Sequence, residues 1–379
     1  MVNSEGSAIT QTHIDDPVRD RKTRIDPLAD KYDDVAKIIR YQHIKDDNSL
    51  ITRLLERHIG SKIAKIIPKN ISSIILTALG LIPVLLGVLL LWVLDFSTFS
   101  CVFFGCMLIV GVFLDSAVYP YVAATNSMNG IVIFEKLNFE NFTTLLAVTH
   151  LPHALQFYAA DVSLLFFSFG SLVPFTNALH FYVHGEERVT KISGSKEHRL
   201  VYAMLFFVSQ VQFIDRNHLL FLCIVSGGVL YVAAIRFLDC LKTEDKERLG
   251  HVWQNAFWFI IVAVLSLLQS KLPAAHWNTH PLRVTWLFII MQDFLFNKLI
   301  IAALSAQEPS RLLVYCALFL ISILDQYFDL VNPTWFFDVV MFLLIGSFVY
   351  YTVGFVQSYH RVTKTEILNP LAKPDEIRK

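Results

Sequence analysis

The acids that could act together on a phosphoryl group or a metal ion fall in one stretch: Asp115, Glu135 and Glu140, with Lys136 among them and no arginine from 115 to 140. Carboxylates grouped in this way suit divalent cations, which in turn neutralise charge on phosphoryl oxygens. The number of acids limits that chemistry. Two divalent ions about 4 Å apart repel each other and need several carboxylates to hold them. A unit-charge pair at 4 Å is worth roughly 4 kcal/mol at an effective dielectric of 20, so Lys136 opposes a metal pair. It either replaces a metal by pairing with Asp115 and Glu140, or it is a loop lysine in the cytosol.

Other groups offer less. His150 and His153, at i and i+3 around Pro152, suggest a metal pair but have no third ligand at a telling spacing. Cys101, Cys106, Cys223, Cys240 and Cys316 lie in or beside apolar runs without a C-x-x-C pair, and read as small buried hydrophobes. Asp161, Arg236, Asp239, Asp293 and Asp325 fall in or at the edge of apolar runs, where a charge faces a cavity or a partner. Arg236 and Asp239 are three apart and can share a helix face. Gly227-Gly228 reads as close helix packing rather than a phosphate cradle. The sequons at Asn70 and Asn141 would lie in the cytosol or at the membrane surface, unused.

The elements that must position these groups are membrane helices. Of 379 residues, 54% are hydrophobic and 17% charged, more apolar surface than one soluble core can hide. Thirty-one Phe against fifteen Gly and thirteen Pro favours long apolar helices. A formal net charge of zero, with no basic run or RNA-type aromatic motif, excludes nucleic acid as a partner. Runs near the twenty residues that cross a bilayer occur at about 72–95, 100–122, 141–159, 161–184, 198–213, 217–239, 252–270, 282–305, 311–330 and 334–357. The chain is therefore expected to be an all-α integral membrane protein of about ten transmembrane helices.

Residues 1–45 form a polar tail without the pattern of a cleaved signal. Residues 46–68 follow as an amphipathic helix: Leu50, Leu54, Leu55, Ile59, Ile63 and Ile66 recur opposite Arg53, Arg57, Lys62 and Lys65. Such a helix lies in the headgroup layer or packs on the bundle, and Pro68 breaks it. The transmembrane domain then spans 69–360 and a tail spans 361–379. Arg188, Lys191, Lys196 and Arg199 after the fourth run, Lys242, Lys246 and Arg248 after the sixth, and Arg361, Lys364 and Lys373 near the end place those segments in the cytosol. Both termini, and the connection around 123–140, then face the cytosol.

Three segments carry a resemblance. Tyr41-Gln-His43, Asp47, Ser49-Leu50 and Pro68, with Thr77 and Gly80 at the spacing P-x8-T-x2-G, resemble the leading segment of the eukaryotic choline/ethanolamine phosphotransferases. Tyr182-Val183-His184-Gly185, followed by Arg188 and Lys191, resembles that family's Y-V-S-G segment. His280-Pro281, Lys298 to Ala302, Glu308 and Leu324-Asp325-Gln326-Tyr327-Phe328 resemble its C-terminal helices in order and spacing. The three cover about residues 40 to 357. The resemblance implies a CDP-alcohol phosphotransferase-like fold of ten helices with a site open to the cytosol. It also implies transfer of a phosphoalcohol from CDP-choline or CDP-ethanolamine to diacylglycerol with Mg²⁺ or Mn²⁺, on the signature D-x-x-D-G-x-x-A-R-x8-G-x3-D-x3-D.

Thr125-Asn126-Ser127 after Leu114-Asp115 sets the register. The first acid is then Asp115, but Val118 and Tyr119 replace the second Asp and its Gly. Val122 and Ala123 replace Ala-Arg, Val132 the later Gly, Lys136 the third Asp and Glu140 the fourth. Ser73-Ile74 stands for the expected Pro-Asn pair. The expectation is a protein without catalysis, metal or cofactor, whose lipid- or cavity-facing candidates are Asp115, Lys136, Glu140, His184 and Asp325. It would anchor or handle phospholipid or diacylglycerol within a larger complex of the endoplasmic reticulum, or of the Golgi, and present lipid to a lipid-transfer protein. The alternative is an active phosphotransferase making phosphatidylcholine or phosphatidylethanolamine with an altered Mg²⁺ or Mn²⁺ site.

Overall fold

The computed structural model describes residues 49–69, 71–125, 130–155, 166–184, 195–210, 212–270, 281–305, 313–328 and 333–363, and all regular structure among them is helical. The predicted tail 1–45, Asp161, Arg188, Lys191 and the end of the chain beyond 363 lie outside the described residues.

Helix α1 begins where the Ser49 hydroxyl accepts from the Thr52 amide at 3.1 Å, which satisfies one of the first-turn donors. It runs as Leu50–Leu55, a π turn Glu56–Gly60, and Ser61–Ile66. Of the two placements expected for it, packing on the bundle is the one seen. Leu55 and Gly60 are buried, Ile63, Ala64 and Ile67 pack on the bundle, and Ile51, Leu54 and Ile66 stay exposed. Gly60 is required at the contact: a Cβ there would lie 2.0 Å from the Ser116 carbonyl oxygen.

Helix α2, Ser73–Val93, is apolar all round, as a helix between a bundle and lipid must be. Leu76, Gly80, Val84, Gly87 and Leu91 face inward, while Ile75, Leu79, Ile82, Leu86, Leu89 and Val93 form an exposed stripe. A tight turn through Asp95 and Phe96, at φ 46° and 52°, leads to α3, Thr98–Thr125. There follow α4 (Gly130–Ala154), α5 (Leu172–His184), α6 (Ser195–Val208), α7 (Gln212–Cys240), α8 (Lys246–Ser270), α9 (Pro281–Ser305), α10 (Leu313–Phe328) and α11 (Pro333–Thr363).

Each of the ten apolar runs therefore overlaps a helix. Among the described residues, five segments suffice by length and composition to cross a membrane: α2, α3, Cys223–Cys240 of α7, Thr285–Leu304 of α9 and Asp338–Gln357 of α11. Several apolar spans of this kind suit a membrane protein. Helix α6, of 14 residues, is only about 21 Å long at 1.5 Å per residue. Helix α9 is the most enclosed of the five segments, and is flanked by α4, α5, α8 and α11.

The third run differs from its expected bounds. Helix α4 begins at Gly130, eleven residues before the run's start at 141, because Glu135, Lys136 and Glu140 are accommodated inside the bundle. Lys136 is 2% exposed, so it is not a cytosolic loop lysine. Lys196 and Arg199 are likewise not loop charges: both lie in α6, at 1% exposure. Gly227 and Gly228 do not serve close packing, since a Cβ at either would meet nothing within 4 Å. Asn141 is buried in α4, out of reach of any glycosylating enzyme. All five cysteines are free, but only Cys101, Cys240 and Cys316 are buried; Cys106 and Cys223 are exposed.

Candidate functional site

Three helices bring four buried charges together. Asp115 comes from α3, Lys136 and Glu140 sit one turn apart on α4, and Arg199 lies in the second turn of α6; each is at most 2% exposed. Arg199 Nη2 donates to Asp115 Oδ2 at 2.6 Å and to Glu140 Oε1 at 3.4 Å. Lys136 Nζ reaches the same Glu140 oxygen at 3.2 Å. Aromatic faces complete the two cations: Lys136 Nζ lies 4.0 Å from the Tyr119 ring centre, and the Arg199 guanidinium carbon 5.3 Å from that of Phe139.

Two carboxylates and two cations make the group formally neutral, which is what allows it to be dehydrated. The geometry therefore differs in one respect from metal-free pairing by Lys136. Lys136 bonds Glu140, but Arg199 is the group that joins Glu140 to Asp115. The sequence pattern marks Arg199 only as one of the basic residues that set orientation. The signal for its role was the missing countercharge: two acids deep in an apolar region, with no arginine between 115 and 140.

Two consecutive α6 residues reach the other way, to α1. Lys196 Nζ pairs with Glu56 Oε1 at 2.5 Å. Glu197 accepts from the Thr52 amide at 3.2 Å and from its hydroxyl at 3.2 and 3.3 Å. The first turns of α6 thus tie α1 to α3 and α4. Beyond the end of α1, the hydroxyl of Tyr121 on α3 lies 2.6 Å from the Ile71 carbonyl and 3.0 Å from that of Pro68, bracing the turn into α2.

The positions that the resemblance assigns to a metal signature do not fit paired divalent ions. Arg199 Nη2 already stands between the two surviving carboxylates. Adding two or four positive charges to a neutral buried group is opposed by Lys136 and Arg199, each by roughly 8 kcal/mol per dication at 4 Å and an effective dielectric of 20. Val118, Val122 and Val132, where the signature has Asp, Ala and Gly, pack instead into one cluster with Leu76, Ala117 and Tyr121. Tyr119 is half-buried under Lys136, and Ala123 is exposed on α3 with no cation to offer a diphosphate. Among the described residues, Asp115 Oδ1 and Glu140 Oε2 are buried without a hydrogen-bond partner.

Of the five cavity-facing candidates, Asp115, Lys136 and Glu140 come together. His184 ends α5 and is exposed, its ring tilted 34° against that of His180. Asp325 is buried on α10, a helix that packs on α8 and α11. His150 is occupied at both nitrogens, with Trp92 Nε1 donating to Nε2 at 2.9 Å and the Leu146 carbonyl 2.6 Å from Nδ1, so it holds α2 to α4. His153 stacks obliquely on Phe96, at 5.1 Å between ring centres. Arg236 donates to the Val173 carbonyl at 3.5 Å, and Asp239 meets His180 and Lys242. No family model matches the chain, and no curated protein shows significant similarity to it.

Proposed function

We propose that this protein is a non-catalytic relative of the choline/ethanolamine phosphotransferases, which serves as a membrane anchor or phospholipid-handling subunit of a larger complex. The observation that carries this reading is the Arg199 guanidinium bonded to Asp115 and to Glu140, at 2.6 and 3.4 Å. At the positions where the related enzymes would gather four acids around two metals, this chain has two acids bound by its own cations and a wall of valines. A site neutralised in this way has no charge left to bind Mg²⁺ or Mn²⁺ and the diphosphate of a CDP-alcohol.

In this reading the ten helices α2 to α11 cross the membrane of the endoplasmic reticulum, or of the Golgi, with both termini in the cytosol. Phospholipid or diacylglycerol occupies the outer faces of the bundle, and a lipid-transfer protein docks on the cytosolic side near α1. The exposed apolar stripe of α2 and the exposed Ile51, Leu54 and Ile66 of α1 supply the lipid-contacting surface.

The test is turnover. Purified protein in lipid nanodiscs, given CDP-choline or CDP-ethanolamine, diacylglycerol and Mn²⁺, is expected to form no phosphatidylcholine or phosphatidylethanolamine above a protein-free control. Turnover that Asp115→Asn abolishes would overturn the reading in favour of an active enzyme with an altered metal site. The subunit role is tested separately by crosslinking in native membranes, and recovery of no lipid-transfer or scaffold protein counts against it.

A further inference from the structure

A second polar group lies at the C-terminal ends of α5 and α7, outside the charge network. His180 and His184 are one turn apart on α5, their ring centres 4.3 Å apart. His180 Nε2 stands 3.2 Å from Asp239 Oδ2 on α7. One donor atom from each of the three residues lies within 4.8 Å of the others. His residues at i and i+4 share a helix face, and a carboxylate facing them from a neighbouring helix completes three ligands.

The spacing suits a particular ion. Bonds of about 2.0 to 2.2 Å in a tetrahedral site place ligand atoms roughly 3.3 to 3.6 Å apart. The His180–Asp239 separation is already close to that, and the His184 donor, on an exposed residue at the helix end, lies within 4.8 Å of both. Two imidazoles and one carboxylate favour Zn²⁺ and its neighbours over Mg²⁺, Ca²⁺ or Mn²⁺, which prefer all-oxygen shells.

The surroundings hold the three residues in place. Lys242 Nζ, 3.5 Å from Asp239 Oδ1, engages the carboxylate oxygen that the ion would not use, as outer partners of metal ligands commonly do. The Tyr182 hydroxyl bonds His251 Nδ1 at 2.7 Å, and Arg248 Nη1 donates to the Val183 carbonyl at 2.5 Å. Both fix the end of α5 against α8. Lys242 is 76% exposed along its side chain, so its charge is largely screened by water. His184 is also the residue by which Tyr182-Val183-His184-Gly185 departs from Y-V-S-G, and without it the group would have two ligands.

We propose that His180, His184 and Asp239 form a Zn²⁺ site that clips the end of α5 to the end of α7, with a fourth position open to water. The proposal does not depend on whether the Arg199 network is catalytically dead. Full-length protein carrying no histidine tag, stripped with chelator and held in nanodiscs, is titrated with Zn²⁺ against a fluorescent chelator. Wild type is expected to bind one Zn²⁺ per chain, and His184→Ser and Asp239→Asn to bind at least about 100-fold more weakly.

Because His184 is exposed, His184→Ser is expected to keep the wild-type gel-filtration profile, and Zn²⁺ is expected to raise the thermal midpoint of wild type but not of this variant. Co²⁺ in place of Zn²⁺ should give visible bands of tetrahedral intensity. Equal Zn²⁺ affinity in wild type and His184→Ser, a weak octahedral Co²⁺ spectrum, or tighter binding of Mn²⁺ than of Zn²⁺ would each overturn the proposal.

Discussion

Removing the Arg199 guanidinium leaves Asp115 and Glu140 buried with, among the described residues, Lys136 to balance them. Breaking a buried pair from one side costs about 3 to 5 kcal/mol, so Arg199→Met is expected to lower unfolding stability by that amount, measured by denaturant titration in mixed micelles. Asp115→Leu alone should also destabilise. The double variant Arg199→Met with Asp115→Leu keeps the neutral Lys136–Glu140 pair and should lose less than the sum, with a coupling of roughly 0.5 to 3 kcal/mol. Additive losses would mean that Arg199 and Asp115 do not act as a unit. Lys136→Asp tests the other cation: it puts a second acid one turn from Glu140 and is expected to abolish recovery of monodisperse protein. A variant as stable as wild type would show that Lys136 has no part in holding the site. At this scale the sequence is informative about three of the four residues, since Asp115, Lys136 and Glu140 stand close together in the chain. Arg199 is not legible there because it lies 59 residues beyond Glu140, on the far side of another helix, where a basic residue ordinarily reports orientation.

Among the elements, α1 is seated on the bundle through a small residue, Gly60. A methyl group at position 60 would meet the Ser116 carbonyl, one residue from Asp115, so helix and bundle must separate to accept it. Gly60→Ala is expected to cost about 1 to 3 kcal/mol and to raise amide hydrogen exchange along α1 while leaving α9 protected. Unchanged exchange in α1 would mean that its seat is softer than its geometry. Each hydrophobic run overlaps a helix among the described residues, because a long apolar run favours a helix whatever its neighbours are. The start of α4 was not found, since Glu135, Lys136 and Glu140 look like a loop until partners on α2, α3 and α6 are known. The Ser73 hydroxyl at 3.4 Å from Glu135 Oε2 is one such partner.

For the whole molecule, burial is distributed as a membrane solvent would require. Helix α9 is enclosed and carries Gln292, Asp293, Asn297 and Lys298, all buried, whereas α2 and α11 present Leu, Val and Phe side chains outward. Lys298 Nζ sits 4.7, 4.8 and 5.7 Å from the ring centres of Phe294, Tyr315 and Tyr351, a packing of charge on aromatic faces that joins α9, α10 and α11. The ten-span reading makes a topological prediction. In sealed microsomes, a cysteine at Thr243 should react with an impermeant maleimide from outside, and one at Ser97 only after permeabilisation. Reaction of both before permeabilisation would require a different number of crossings between α2 and α7.

The bracing of the turn before α2 by Tyr121 has a mechanical consequence for whatever precedes Ser49. With one end fastened through Lys196 and Glu197 and the other through that phenol, α1 is a strut rather than a hinge, and Ser49 is held at a fixed point. Spin labels at Leu54 and Leu343 should therefore report a narrow distance distribution. Tyr121→Phe should broaden it without shifting the distances measured inside the bundle.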